Sequence, residues 1–174
     1  MNNMKKQAGF TLIEILIYIA IISGVVVTFV VFSLSISNSR NKTYVIQEVQ
    51  ANTRVAFELI SKYLHAADDI NIGASIFDSD PGVLSLAMDD AGKNPTIISL
   101  NADDGQLQIK EGSADEVNVT SNEVKITNLV FRDLTGSSAR KNIGVEVTVE
   151  YNVDNSDVIY EYAQSWQTAV SLRQ

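Results

Sequence analysis

The residues able to do chemistry are few. His65 is the only histidine and cysteine is absent, so the chain offers neither thiolate chemistry nor the donors of a zinc site. Ser61 and His65 stand four apart in a helical pattern with Asp68 and Asp69 one turn on, the three residue types of a hydrolytic triad. Spacing of i,i+4 on one helix supplies neither an oxyanion hole nor a substrate cleft. His65 is instead expected to sit at a helix end, interacting with carbonyls or Asp68. Asp78 with Asp80, Asp89 with Asp90 and Asp103 with Asp104 could give oxygen ligands to calcium, but none has the EF-hand spacing. Aspartate next to glycine is ordinary turn chemistry. The expectation is no catalytic residue, no metal and no cofactor. The remaining candidate is Glu14, a lone carboxylate inside an apolar run.

That run, Phe10 to Phe32, reads FTLIEILIYIAIISGVVVTFVVF. Twenty-three residues at helical rise span about 34 Å, against roughly 30 Å for a bilayer core. Lys5 and Lys6 precede it and place the N-terminus in the cytoplasm by the positive-inside rule, with the rest of the chain across the membrane. A secretory signal has about 7–15 apolar residues and then a small-residue cleavage site; this run is longer and flows into more helical sequence. A plain signal anchor, tethering a binding or enzymatic domain, fits the hydropathy but leaves Glu14 unexplained. A carboxylate near the end of a membrane helix typically costs a few kcal/mol and has a partner or a task.

Gly9-Phe10-Thr11-Leu12-Ile13-Glu14, behind a short basic leader, resembles the GFTLIE signature of type IV prepilins and pseudopilins. The resemblance implies cleavage between Gly9 and Phe10 by a membrane prepilin peptidase, N-methylation of Phe10, and an assembly role for Glu14. It implies other pilins or pseudopilins and an inner-membrane assembly platform as partners. The physical logic is separable. Cleavage creates an α-amino cation at Phe10, and a neighbouring subunit's Glu14 can neutralise it, so both charges escape unpaired burial only on correct assembly.

Thirteen Lys and Arg face 21 Asp and Glu, a net charge of −8. Loss of Lys5 and Lys6 with the leader leaves 11 cations against the same 21 acids, or −10. Such a surface repels phosphate backbones, so no nucleic-acid partner is expected for the isolated subunit.

The organisation expected is a leader over 1–9, a membrane-spanning helix over 10–32, an extracytoplasmic helix over 33–70 and a β-rich domain over 71–174. No proline precedes Pro81, which permits one long helix, though Gly24 and the Ser/Asn-rich stretch 33–41 are weak helix formers. From Tyr44, Val45, Val49, Ala56, Leu59, Ile60, Tyr63 and Leu64 recur at three- and four-residue spacing and should dock on a sheet. Asp68, Asp69 and Gly73 mark the helix end. Residues 83–86, 97–100 and 107–109 read as short strands between turns. Ile143, Val145, Val147, Val149, Tyr151 and Val153 alternate with polar residues. After Asp154 to Asp157, residues Val158, Tyr160, Tyr162, Trp166, Val170 and Leu172 hold one face of a hairpin, with Trp166 expected in the core. Residues 124–126 and 129–131 should pair beside it.

The fold class is α+β, a long N-terminal helix whose outer half packs on antiparallel sheets. This layout resembles the J-type minor pseudopilins of type II secretion and the related W-type minor pilins, whose long helix leads into two small sheets. Arg54 to Ile60 is similar to their helix register, and Val170-Ser171-Leu172-Arg173-Gln174 to their ending. The resemblance implies a filament subunit that initiates or caps assembly. The alternative is a subunit, minor or major, of a surface pilus for adhesion, motility or DNA uptake.

Overall fold

A computed structural model describes residues 9–137, 140–152 and 161–172. The chain divides into two compact units, Met1–Asn41 and Lys42–Gln174. Helix α1, Leu12–Ala66, runs unbroken through Gly24 and 33–41. In the first unit its side chains from Leu12 to Phe32 are apolar and exposed apart from a few small or polar ones. Thr28 returns its hydroxyl to the Gly24 carbonyl at 2.8 Å and Ser23 does the same to Ile19, so both polar groups are satisfied within the helix.

In the second unit α1 buries Val45, Val49, Asn52, Thr53, Ala56, Phe57, Ile60 and Leu64. The stripe is the expected one with three differences. Leu59 and Tyr63 are only partly buried, Phe57 joins the buried face although it was not foreseen there, and Asn52 and Thr53 are buried where polar residues were not foreseen. Both are tolerated because each is bonded: Thr53 Oγ1 donates to the Val49 carbonyl at 2.7 Å, and Asn52 joins a network described below. The helix stops at Ala66, short of residue 70. The Asp68 amide donates to the Ala87 carbonyl at 3.0 Å, and Asp69 and Ile70 are already a strand.

Two antiparallel sheets follow. The first has the order β1-β2-β3-β4-β5, with β1 Asp69–Ile70, β2 Leu84–Ala87, β3 Thr96–Leu100, β4 Leu107–Glu111 and β5 Val117–Asn118. Val83 lies outside β2, in an isolated bridge to Ile76. Turn chemistry sets the connections. Asp90 Oδ1 accepts the Gly92 amide at 2.9 Å, and Asn101 Oδ1 accepts the Asp103 amide at 2.9 Å. Gly105 closes the second turn at φ +65°, where a side chain would also strike Lys125.

The second sheet is β6 Val124–Asp133, β7 Asn142–Tyr151 and β8 Ala163–Ser171, in that order. The two short segments expected near residues 124 and 129 are one strand with a register shift between Ile126 and Asn128. The bulge moves the inward phase from Val124 and Ile126 to Leu129 and Phe131, so apolar residues stay inside on both sides of it. On β7, Ile143, Val145, Val147 and Val149 are fully buried. One core cluster joins these residues to Ile60 and Leu64 of α1 and to Leu84, Leu86, Ile98 and Leu107 of the first sheet. The expected hairpin turn, with Val153, Val158 and Tyr160, and the terminal Arg173 and Gln174, lie outside the described residues.

Trp166 corrects an expectation. It has the inward phase of Val170, yet it remains 49% exposed. It lies on the outermost strand, where its indole rests against the Phe57 ring at 5.7 Å with no further strand beside it among the described residues.

Candidate functional site

The N-terminal site is built by a helix cap. Thr11 precedes the first helical residue; its carbonyl accepts the amides of Glu14 and Ile15 at 3.1 and 3.2 Å, and its Oγ1 accepts the Glu14 amide at 3.3 Å. This is a capping arrangement with Glu at the third helical position, readable in Thr11-Leu12-Ile13-Glu14 although the sequence reading used those residues otherwise. The cap has two consequences. It ends the helix before Phe10, leaving the Gly9-Phe10 peptide non-helical, with both residues exposed and Phe10 at 72%. An exposed, non-helical peptide is what a protease can bind. It also sets Glu14 in the first turn, where the positive end of the helix dipole favours a carboxylate.

Glu14 is half-buried, and among the described residues its carboxylate has neither a hydrogen bond nor an ion pair. Around it Leu12, Ile13, Ile15, Leu16 and Ile17 are all exposed. Among the described residues this is the one helix long and apolar enough to cross a membrane, and none of its most apolar stretch is covered by the rest of the chain. The arrangement is a carboxylate without a counter-charge on an apolar cylinder, next to a peptide open to cleavage.

The other candidates do not come together. His65 is exposed in the last turn of α1 and, among the described residues, bonds neither Ser61 nor Asp68. The aspartate pairs are drawn into separate structural contacts. Asp80 Oδ1 accepts the Leu129 amide at 2.9 Å, Asp78 lies 3.7 Å from Arg132, and Asp104 accepts from Asn101 at 3.4 Å. Among the described residues no three of His, Cys, Asp and Glu gather as a metal site would need.

A polar latch that the sequence reading missed ties α1 to the loop before β6. Asn52 Oδ1 accepts the Ser121 amide at 2.8 Å, while its Nδ2 donates to Glu48 Oε1 at 2.8 Å. Ser121 Oγ donates to the same Glu48 oxygen at 3.1 Å. Beside it Tyr151 donates to Glu123 at 2.7 Å and meets the Tyr44 ring edge-on at 6.5 Å. The hydrogen bond to Glu123, then burial, then the negative charge of Glu123 push the Tyr151 hydroxyl up to about 12. At the other end of the buried stripe, hydrogen bonds from Tyr63 and then Lys93 hold the Glu111 carboxyl below its ordinary range.

Residues 4–23 match the family model described as the prokaryotic N-terminal methylation motif. The match covers the leader's basic end, the Gly9-Phe10 junction, Glu14 and the first half of the apolar run. Comparison with curated proteins and with solved structures gives no match. The class defined by fold and site together is a chain with a type IV prepilin-like N-terminus on an α+β, pilin-like architecture. Its apolar helix and motif fit a single-pass, inner-membrane-anchored subunit.

Proposed function

We propose that the chain is a structural subunit of a type IV pilus-like or type II secretion pseudopilus filament, matured by prepilin peptidase at Gly9-Phe10 and methylated on Phe10. The observation that carries this reading is the pairing of an open Gly9-Phe10 junction with an uncompensated Glu14 four residues on. After cleavage the Phe10 amine and Glu14 are opposite charges on one apolar segment, and a neighbour's copy of each is the natural counter-ion. One helix leading into two small antiparallel sheets further supports the minor pseudopilin branch, in which the subunit initiates or caps the filament. The role is polymerisation and not catalysis.

Substituting Glu14 with Gln tests the assembly role. Glu14 belongs to the first unit, and the core cluster lies wholly in the second. Cleavage and domain stability should therefore be unchanged, while a neighbour's buried amine loses its partner at about 3–5 kcal/mol. The expected result is a fall of at least tenfold in co-purified partner pilins with loss of secretion or piliation in the same cells. Normal capture and normal filament function for Glu14→Gln would remove Glu14 from assembly.

A further inference from the structure

Asparagine stands two residues before a serine or threonine at Asn41-Lys42-Thr43, Asn94-Pro95-Thr96 and Asn118-Val119-Thr120. That triplet is the acceptor of N-linked glycosylation unless proline takes its middle place, which removes Asn94. The N-terminal motif is a prokaryotic one. A prokaryotic transferase gains a firmer hold where an acidic side chain lies two residues before the asparagine, because its own cationic group can pair with that carboxylate. Asn41 has Ser39 at this place and lies inside α1. Asn118 has Glu116, so Glu116-Val117-Asn118-Val119-Thr120 satisfies all the demands at once.

The fold gives this segment a fitting place. Every residue from Ser113 to Asn118 is exposed, and Glu116 meets only Lys110, at 3.5 Å and with half its side chain in solvent. Strand β5 is no more than Val117 and Asn118, paired with Ile109 and Gln108 of β4. Asn118 Oδ1 accepts from Gln108 Nε2 at 2.9 Å, and Asn118 Nδ2 donates to Gln106 Oε1. A primary amide has two N–H bonds, so one can be replaced while the other still serves Gln106. Thr120 is placed differently. It is buried, and its Oγ1 accepts the Leu107 amide at 3.1 Å while the Val119 amide donates to the Leu107 carbonyl at 2.7 Å. An enzyme can reach that hydroxyl only before β5 closes on β4, and a two-residue strand is among the least stable parts of a sheet.

We propose that Asn118 is an N-glycosylation site, modified from a lipid pyrophosphate-linked oligosaccharide before β5 closes. The proposal rests on the reading above that anchors the chain in the membrane with its domain outside the cytoplasm. In the transfer, Asn118 Nδ2 bonds to the anomeric carbon of the first sugar. The bond from that carbon to the pyrophosphate oxygen breaks, its electron pair leaves with the lipid pyrophosphate, and one Nδ2 proton passes to a base of the transferase. Glu116 supplies the charge that holds the segment, and the Thr120 hydroxyl supplies a hydrogen bond to the enzyme. Strand β5 then closes with Thr120 turned inward and the sugar on the exposed side chain of Asn118. There the glycan covers an edge strand, one more protection against pairing with another chain.

The test takes the full-length protein from membranes of its source organism and reads its intact mass and its tryptic peptide 111–125. That peptide contains Asn118 and no other such triplet. In the wild type it should carry an added mass that releases sugar fragments on collision, and electron-transfer fragmentation should place that mass on Asn118. Asn118→Gln should abolish it. Occupancy should fall at least tenfold with Thr120→Ala and with Glu116→Gln, and should be kept by Thr120→Ser and Glu116→Asp, which separates recognition from any folding defect. A bare 111–125 peptide in the wild type, a sugar placed on a hydroxyl, or full occupancy with Glu116→Gln would each overturn the proposal. The same intact mass shows whether residues 1–9 have been removed. A matured chain with a bare Asn118 refutes the glycosylation site alone, whereas a chain that keeps its leader refutes the prepilin reading, whatever Asn118 carries.

Discussion

At the scale of residues, the N-terminal site depends on Gly9, Phe10, Thr11 and Glu14, and each has a separable task. Gly9 has open space around its Cα, so a side chain there meets none of the described residues. Gly9→Val should therefore leave folding intact and impair only peptidase recognition. The expected outcome is a protein retained with its leader, and a normal mature terminus by intact mass would contradict it. In the domain the polar latch makes its own prediction. Asn52→Ala leaves the Ser121 amide and the Glu48 carboxylate short of a partner in a part-buried site, which should cost about 1–3 kcal/mol in chemical denaturation. Tyr151 gives a pH signature. Its hydroxyl is held protonated by Glu123, so the folded value of about 12 lies above the ordinary tyrosine value near 10. That contribution is complete below about pH 10 and is lost as pH rises through about 12. Tyr151 is only partly buried and its bond to Glu123 is open to solvent, so screening keeps the effect to about 1 kcal/mol. Tyr151→Phe should be less stable than wild type at pH 8, and the gap should narrow between pH 10 and 12. A gap independent of pH would remove the Glu123 bond as its cause.

At the scale of elements, α1 should behave differently along its length. Val49 to Leu64 has a core to pack on, whereas 33–41 has exposed side chains and poor helix formers. Hydrogen exchange in detergent should be slower at Val49 to Leu64 than at 33–41, and equal protection would contradict this. Most of this was legible beforehand, because period 3.6 and period 2 are written directly in the apolar residues of α1 and β7. The exceptions have identifiable causes. The bulge at the middle of β6 shifts the alternation by one residue, so a continuous strand reads as two fragments. The strands β1 and β5 are too short to carry a period, and exist because β2 and β4 offer them partners. Asn52 was read past because a polar residue on a helix is assigned to solvent unless its distant partner, here Ser121, is known. Trp166 shows the opposite failure: phase gives the face of a strand but not whether the sheet continues beyond it. The β6 strand also supports a stability test. Phe131 is fully buried and pairs with Val145, so Phe131→Ala should cost about 3–5 kcal/mol, read as a lower denaturation midpoint of the domain.

At the scale of the whole molecule, the two units divide the labour between anchorage and a folded domain. Polymerisation needs an apolar segment that is stable in lipid and again among its neighbours, and a charge that makes only the right neighbour acceptable. Residues 10–32 have that composition, and Glu14 is their single charge. The motif was legible because six adjacent residues carry it; the helix cap written in four of the same residues, Thr11 to Glu14, was passed over because the motif had already accounted for them. The central claim is that this N-terminus is a substrate before it is an anchor. Top-down mass spectrometry of the protein from membranes of its source organism tests it most directly. The account predicts a chain that lacks residues 1–9, begins at Phe10 and carries one additional methyl group on the terminal nitrogen. A chain that retains its leader, or begins at any other residue, would contradict it.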